Sequence, residues 1–369
     1  MTLEQQVQDG RQEIHTDAYP MSIGEIISIY KDGDLDIHPE FQREFRWKPH
    51  QKSKLIESIL LGIPLPSIFV AQRDDGIWDV VDGVQRLSTI MSFVGELLDE
   101  DNKKLKPLVL EKTKYLPKLE GISWEAEDKE NEISTELKRA FKREKIDVKI
   151  IKKESDGNAK FELFQRLNTG GSDLSEQEVR NCLLLMLNKA LYEWLKELSS
   201  HKNFLSCLNL TERQLEEKYE MELALRFIIS ANFKPETTID ESDIGPYITS
   251  AMKTQLVDDQ DFNRDTTGDL FKNTFDVLHD SLQDSSFKRY SKSKEKHEGA
   301  FSVALFEFIS TGVAIYLEKG KSKAEASSKV AEISKIVAEN ADYKQATKHG
   351  VRAVARFPAL VGLARELFQ

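Results

Sequence analysis

The chain has 369 residues, of which 40% are hydrophobic and 31% are charged, and its formal net charge is −11. This composition is typical of a globular protein with one large domain or two ordinary ones, and no apolar run reaches the roughly 18–20 residues of a membrane span. The acidic balance argues against a generic nucleic-acid coat, and two cysteines exclude a disulfide framework or a cysteine zinc site. The polar N-terminus has no signal-peptide core, so we expect a cytoplasmic protein.

The first half of the chain is predicted to mix helices with short strands. Residues 1–20 are expected to form a flexible lead-in. Apolar spacing predicts helices over 22–31, 51–61 and 159–167, and alternation predicts strands over 67–71, 77–81 and 146–151. Residues 99–145 are dense in charge, which predicts an exposed insertion of mixed helix and loop with a solvated face.

The stretch Trp78–Thr89 is the most informative segment of the sequence. A predicted strand is followed there by a predicted helix, with the turn Asp82-Gly83 between them. The first turn of a helix has unpaired N–H groups and the positive end of the helix dipole, and glycine lets the backbone approach a phosphate closely. Gln85 and Arg86 fall in that first turn, where a guanidinium can fork onto phosphate oxygens. The alternative reading is a plain strand–helix junction with an exposed arginine.

Two further segments combine polar or basic side chains in a similar way. In Phe41–Trp47, aromatic residues alternate with Gln42, Arg43 and Arg46, a pattern found where proteins stack nucleobases. The same alternation also suits an amphipathic edge strand with solvated arginines. In Phe164–Gly171, a predicted helix ends at two glycines, with Arg166, Asn168 and Thr169 at its end.

The second half of the chain is predicted to be all helical. A capping box at Ser175–Glu178 opens a long helix whose apolar stripe continues to Leu198, and a second box begins at Thr211. Apolar-periodic helices follow over 217–231, 270–282, 300–317, 324–339 and 350–367. The segment Lys288–Lys296 is rich in lysine and is predicted to be a loop.

Taken in order, these motifs resemble one family. They are Phe41-Gln42-Arg43 with Trp47, an Ile-Pro-x-Pro connector, Asp82-Gly83-Val84-Gln85-Arg86, and Phe164–Gly171 followed by Glu178-Val179-Arg180-Asn181. The family forms the N-terminal part of GmrSD-type modification-dependent restriction enzymes, whose core is similar to the ParB/sulfiredoxin fold. The resemblance covers about residues 22–185.

The resemblance implies an α+β fold with a small mixed ParB/sulfiredoxin-like sheet over 21–185, followed by an all-helical domain over 186–369. It also implies a module that binds, and often hydrolyses, a nucleotide in defence against phage or foreign DNA. The family signature is Asp-Gly-Gln-Gln-Arg, and here Val84 replaces the first glutamine. If that missing amide places a phosphate or a water, binding would survive while hydrolysis slows. No His-Asn-His nuclease module is visible, so cleavage of DNA by this chain alone is not expected.

The leading hypothesis is a nucleoside-triphosphate-dependent regulatory protein. Its nucleotide site would comprise Gln42, Arg43, Gly83, Gln85, Arg86, Arg166, Asn168 and Thr169, with Asp82, Gln85 and Arg86 as the catalytic set. GTP, ATP and CTP are not distinguished, and Mg²⁺ could bridge the phosphates with help from Asp82 or Glu178.

Two other hypotheses stay open at this point. One is a sensor of modified DNA that contacts the duplex through Arg43, Arg46 and Trp47 without catalysis. The other is a scaffold whose helical half docks a separately encoded nuclease. A homo-oligomer is also left open, and no membrane partner is indicated.

Overall fold

The computed structural model describes residues 2–5, 15–37, 47–99, 101–153, 175–234 and 237–369. The chain divides into two compact units, Met1–Asp173 and Leu174–Gln369. The sequence suggested a division after residue 185. The first unit mixes strands and helices and the second is mainly helical, which confirms the α+β core and the helical C-terminal region. None of the described helices has the length and apolar character needed to cross a bilayer.

The described part of the first unit is a five-stranded mixed sheet with helices. Its elements are β1 (Thr16–Ser22), α1 (Ile23–Lys31), β2 (Leu35–Asp36), α2 (Pro49–Leu60), β3 (Ile68–Gln72), β4 (Trp78–Asp82), α3 (Val84–Phe93), α4 (Thr135–Arg143) and β5 (Lys145–Ile151). The strand order is β1-β5-β3-β4-β2. Strand β5 is antiparallel to β1 and parallel to β3, and β4 is antiparallel to β3 and parallel to β2.

The strands and helices predicted between residues 22 and 151 are confirmed within a few residues, apart from the insertion. The expectation of a flexible lead-in is wrong for residues 16–20, because they form most of β1 and pair with β5 along its length. The predicted helix over 159–167 lies outside the described residues.

The sheet and its helices share one apolar core. Strand β5 shows why, because Ile146, Val148 and Ile150 alternate with exposed residues, as the period of two in a strand requires. Helices α1, α2 and α3 each contribute an apolar face to the same cluster. The core therefore fixes the position of the loop between β4 and α3.

Residues 99–145 are not only a solvated insertion. Trp124 and Phe141 are buried and pack edge-on against Phe93 at the end of α3, with ring centroids 5.5 and 5.6 Å away. Most charged residues between them are exposed, although Glu132 and Lys138 are half-buried and form an ion pair. The density of charge therefore concealed two core aromatics in the sequence. Charge density alone does not predict the burial of two aromatic residues that are so far apart in the sequence.

Glu57 in α2 ties this segment to the rest of the unit. Its Oε1 accepts hydrogen bonds from Thr113 Oγ1 at 2.5 Å and from the backbone N–H groups of Tyr115 and Leu116, each at 2.9 Å. Burial raises the pKa of Glu57, but the hydrogen bonds outweigh it and lower the pKa below the ordinary glutamate value.

The second unit is a set of packed helices with one small hairpin. Its elements are α5 (Glu176–Leu187), α6 (Lys189–Ser199), α7 (Lys202–Cys207), α8 (Glu212–Glu216), α9 (Tyr219–Ala231), α10 (Ile244–Met252), α11 (Arg264–Leu282), β6 (Arg289–Ser291), β7 (Lys296–Glu298), α12 (Val303–Glu318), α13 (Lys323–Ile336), α14 (Ala341–Ala346) and α15 (Ala353–Leu367). One π-helical turn, Lys253–Val257, follows α10.

Both predicted capping boxes are present, at Ser175 and at Thr211. The single helix predicted through Leu198 is wrong, because Asn188 ends α5 and its side chain accepts a hydrogen bond from Leu191 N at the start of α6. The lysine-rich loop predicted over Lys288–Lys296 is in part an antiparallel hairpin, because β6 and β7 pair at its two ends.

Candidate functional site

The junction between β4 and α3 has the strand–turn–helix geometry that the sequence predicts. Gly83 is the residue before the helix and has a φ of 102°, a left-handed conformation that side chains disfavour. A Cβ placed there would lie 2.9 Å from Ile68 Cγ1. Glycine therefore satisfies both the turn and the close approach of β3. It also has no side chain to cap α3, which leaves the amides of the first turn available to an anion.

Arg86 is engaged by the protein at this junction. Its Nη2 donates to Asp82 Oδ2 at 2.9 Å, and its Nη1 donates to the backbone carbonyls of Ser67, at 3.1 Å, and of Pro66. The Arg86 side chain is only 12% exposed. The guanidinium thus fastens the Pro-rich connector before β3 to the end of β4, and its charge is neutralised by Asp82.

Unlike Arg86, Gln85 has a side-chain donor that no described residue satisfies. Its Oε1 accepts a hydrogen bond from the backbone N–H of Trp47 at 3.2 Å, which fixes the orientation of the amide. Its Nε2 is buried and has no hydrogen-bond partner in the described part of the chain. An unsatisfied buried donor costs about 1–3 kcal/mol, so such an atom calls for an explanation.

Ser88 lies one turn beyond Gln85 on the same face of α3. Its Oγ is also buried and lacks a partner among the residues described. By contrast, Thr89 Oγ1 donates to the backbone carbonyl of Gln85 at 2.7 Å, so that hydroxyl is satisfied inside the helix. Two consecutive polar groups on one face therefore have hydrogen-bonding capacity that the described protein does not use.

The structure brings together part of the predicted nucleotide site. Asp82, Gly83, Gln85 and Arg86 share the junction, and Trp47 joins them through its main chain. The other predicted members lie outside the described residues, namely Gln42, Arg43, Arg46, Arg166, Asn168 and Thr169. Their contribution to the site stays a prediction.

The residues proposed to help a divalent ion do not form a preformed metal site. Asp82 bonds to Arg86, and Glu178 Oε2 accepts a hydrogen bond from the backbone N–H of Ser175 at 2.6 Å as part of the capping box of α5. Within the described ranges, no group of three or more histidine, cysteine, aspartate or glutamate side chains is placed to hold a metal.

The segment Glu178–Asn181 lies in the interior of the second unit. Arg180 is fully buried, and its guanidinium bonds Glu222 Oε2 at 3.0 Å, Thr249 Oγ1 at 3.1 Å and the carbonyl of Gly245 at 3.3 Å. Such a completely satisfied arginine links α5, α9 and α10. The conspicuous Arg-Asn pair at the end of the motif series is therefore explained by packing.

The acceptors of Arg86 could not be predicted from the sequence. The backbone carbonyls of Pro66 and Ser67 have no signature in residue type, because every residue carries a carbonyl. The available signal was the rigid Ile-Pro-x-Pro connector, whose prolines fix the backbone and so can present carbonyls at defined positions. Ser88 was missed because a serine inside a helix gives no indication of burial.

The β4–α3 junction lies in a segment that is similar to a known family. Residues 23–185 match the family model described as the GmrSD restriction endonuclease, N-terminal domain. The match confirms the resemblance drawn from the ordered motifs, and it includes the whole β4–α3 junction. No curated protein matches the chain.

Proposed function

We propose that this chain is a nucleoside-triphosphate-binding regulatory protein of a prokaryotic restriction or anti-phage defence system, on the premise that residues 23–185 match a restriction-endonuclease domain. The observation that carries the nucleotide part of the proposal is the Gln85 amide, whose buried Nε2 has no partner among the described residues beside the uncapped start of α3. That donor and the helix-start amides form a ready site for phosphate oxygens.

In the proposed site, some phosphate-binding groups are already held in position by the protein, and others must change their hydrogen-bond partner when the nucleotide binds. The backbone amides after Gly83 and the Gln85 Nε2 are fixed by α3 and by the bond from Trp47, so they bind phosphate without rearrangement. Arg43 and Arg166 would supply further positive charge, and Asn168 and Thr169 would orient the nucleotide or a water. Magnesium would enter with the nucleotide as the counter-ion of its phosphates.

Arg86 contributes through a change of partner. Its Nη1 stays on the Pro66 and Ser67 carbonyls, while a phosphate oxygen replaces Asp82 at Nη2. Asp82 is 36% exposed, so its carboxylate is easily rehydrated when it is displaced. A released carboxylate beside the phosphates is also placed to orient a water, which is the role we assign to Asp82 in any hydrolysis.

Gln85→Glu is the sharpest test of the proposed site. The substitution keeps an acceptor for the Trp47 N–H but replaces the Nε2 donor by a carboxylate oxygen. Loss of one hydrogen bond to a charged group costs about 1.5–3 kcal/mol, so nucleotide affinity should fall about 10- to 100-fold. Gln72→Glu, at the opposite end of β3, makes the same change of charge and is the matched control.

The measurement is equilibrium binding of ATP, GTP, CTP and UTP in the presence of magnesium, followed by phosphate release for any nucleotide that binds. The proposal expects at least one nucleotide to bind the wild type and the Gln72 variant equally and the Gln85 variant weakly. Equal nucleotide binding by all three proteins would show that the nucleotide binds at a site that does not include Gln85. Binding of none of the four nucleotides by the wild type would refute the nucleotide function and favour the DNA sensor or the scaffold.

A further inference from the structure

The small hairpin of the second unit is rich in basic residues. Strands β6 and β7 pair antiparallel, with Arg289 opposite Glu298 and Ser291 opposite Lys296. Residues 292–295 form the turn between them. Hairpins this short need support from the rest of the protein to be ordered.

One face of the hairpin supplies that support. Tyr290 and His297 lie opposite each other, are half-buried, and have ring centroids 5.1 Å apart in an edge-on arrangement. His297 contacts the backbone of Ser334 in α13. Because side chains alternate along a strand, Arg289 and Lys296 belong to the other face, and both are exposed.

The hairpin concentrates positive charge in an acidic protein. Residues 287–299 contain five basic side chains and two acidic ones, a net charge of +3 with histidine neutral, against −11 for the whole chain. Two of the lysines are paired locally, Lys288 with Asp284 and Lys294 with Glu298. Arg289, Lys292 and Lys296 are exposed, and within the described residues none of the three is held in a direct ion pair. Two of them do lie near carboxylates, since Lys294 and then Lys296 lower the pKa of Glu298, and Lys344 and then Lys292 lower the pKa of Glu339.

We propose that this hairpin contacts the phosphate backbone of duplex DNA. A two-stranded ribbon fits the major groove of B-form DNA, whereas the major groove of A-form RNA is too narrow for it. The outward face has no aromatic side chain on which an unpaired base could stack, since Tyr290 and His297 occupy the inner face. Three exposed cations that no direct ion pair holds within the described residues, together with a ribbon scaffold, therefore favour duplex DNA over single strands and RNA.

The acidic remainder of the chain restricts how a duplex can approach it. A surface that is negative elsewhere repels DNA in most orientations, so the hairpin would both bind and orient the duplex. The inference does not depend on the nucleotide site, because the hairpin lies wholly in the second unit. It also differs from the DNA contact predicted through Arg43, Arg46 and Trp47, so the two surfaces can be tested separately.

The test uses the full chain and two triple variants with equal changes of charge. The hairpin variant is Arg289→Gln, Lys292→Gln and Lys296→Gln. The control variant is Lys106→Gln, Lys202→Gln and Lys319→Gln, three exposed lysines for which the structure gives no ion pair within its described ranges. Circular dichroism and thermal unfolding should show that both variants fold like the wild type.

Binding of a short fluorescent DNA duplex is followed by anisotropy between about 50 and 200 mM salt. Because each lost phosphate contact lowers the salt slope by about 0.9, the hairpin variant should have a slope smaller by roughly 2–3 and an affinity at least about tenfold lower at low salt. The control variant should stay within about twofold of the wild type.

Three results would overturn the proposal. The first is a hairpin variant that binds with the affinity and salt slope of the control. The second is a wild type that binds no DNA at low salt. The third is tighter binding of single-stranded DNA or of duplex RNA than of duplex DNA, which would contradict the ribbon-in-groove argument. Nucleotide binding by the hairpin variant should be unchanged in every case.

Discussion

Arg86→Ala tests whether the arginine of the β4–α3 junction stabilises the fold as well as binding phosphate. The guanidinium holds the Pro66 and Ser67 carbonyls and the Asp82 carboxylate, and its side chain is 12% exposed. Removing it leaves the connector without its link to the end of β4. The nucleotide proposal requires that this structural cost be measured before any loss of binding is interpreted.

The magnitude follows from the three acceptors. The bond to partly exposed Asp82 is worth about 0.5–1 kcal/mol, and the bonds to the carbonyls of exposed Pro66 and half-buried Ser67 about 1 kcal/mol each after partial rehydration. The sum is about 3 kcal/mol. For a unit of this size, 1 kcal/mol corresponds to about 2–4 °C, so the melting temperature should fall by about 6–12 °C.

The assay combines calorimetric unfolding with hydrogen exchange. Exchange should accelerate in the connector, residues 62–67, and at the start of α3, and not in β1 or β5. Arg73→Ala is the matched control, because Arg73 pairs with Asp36 and with buried Asp79 on the same sheet but has no contact with the junction among its described partners. It should destabilise by a similar amount and leave nucleotide binding intact.

An Arg86→Ala protein that unfolds within about 1 °C of the wild type and exchanges normally in the connector would show that Arg86 does not stabilise the junction. In that case the three hydrogen bonds contribute nothing measurable. A nucleotide affinity lost in Arg86→Ala but kept in an equally destabilised Arg73→Ala would assign Arg86 a direct role at the phosphates.

Three further substitutions test neighbouring parts of the structure. Gly83→Ala should cost about 2 kcal/mol or more in unfolding free energy, because it combines a left-handed φ with a contact to Ile68, and a normal melting curve would contradict this. Asp82→Asn should bind nucleotide at least as tightly as the wild type but lose any hydrolysis, and weaker binding in a titration would argue against phosphate replacing Asp82 at Arg86. For Glu57, the lowered pKa gives a stabilisation that is complete above the ordinary value of about 4.3 and is lost as the pH falls below it. Glu57→Gln should therefore be less stable than the wild type at neutral pH, and this difference should shrink in acid-melting curves.

The fold of the first unit was largely predictable because its elements have strong local signals. Strand β5 alternates with a period of two, and Ser22 and Pro49 mark the starts of α1 and α2. The core role of Trp124 was not predictable, because isolated aromatics in a charged segment show no periodicity. Pairing of residues 16–20 with β5 was missed for a similar reason, since an edge strand with exposed side chains resembles a loop.

The candidate site was predictable in outline and not in its internal bonding. The Asp-Gly turn before an apolar helix was enough to place Gly83 at the helix start. That Arg86 would be bound by carbonyls of the connector, while the Gln85 amide kept an unused donor, depends on contacts between segments about 20 and 38 residues apart in sequence. Local sequence patterns contain no information on such pairings.

Hydrogen exchange of the wild type, with and without a saturating nonhydrolysable nucleoside triphosphate, tests the central claim most directly. If phosphates bind the first turn of α3, the amides of Val84, Gln85 and Arg86 should become strongly protected, whereas that of Leu87 already donates to the Gly83 carbonyl and should change little. The amide of Trp47 should also gain protection, because its acceptor Gln85 is then held in place. Nucleotide binding that leaves these amides unprotected, or that protects only another part of the chain, would contradict the claim.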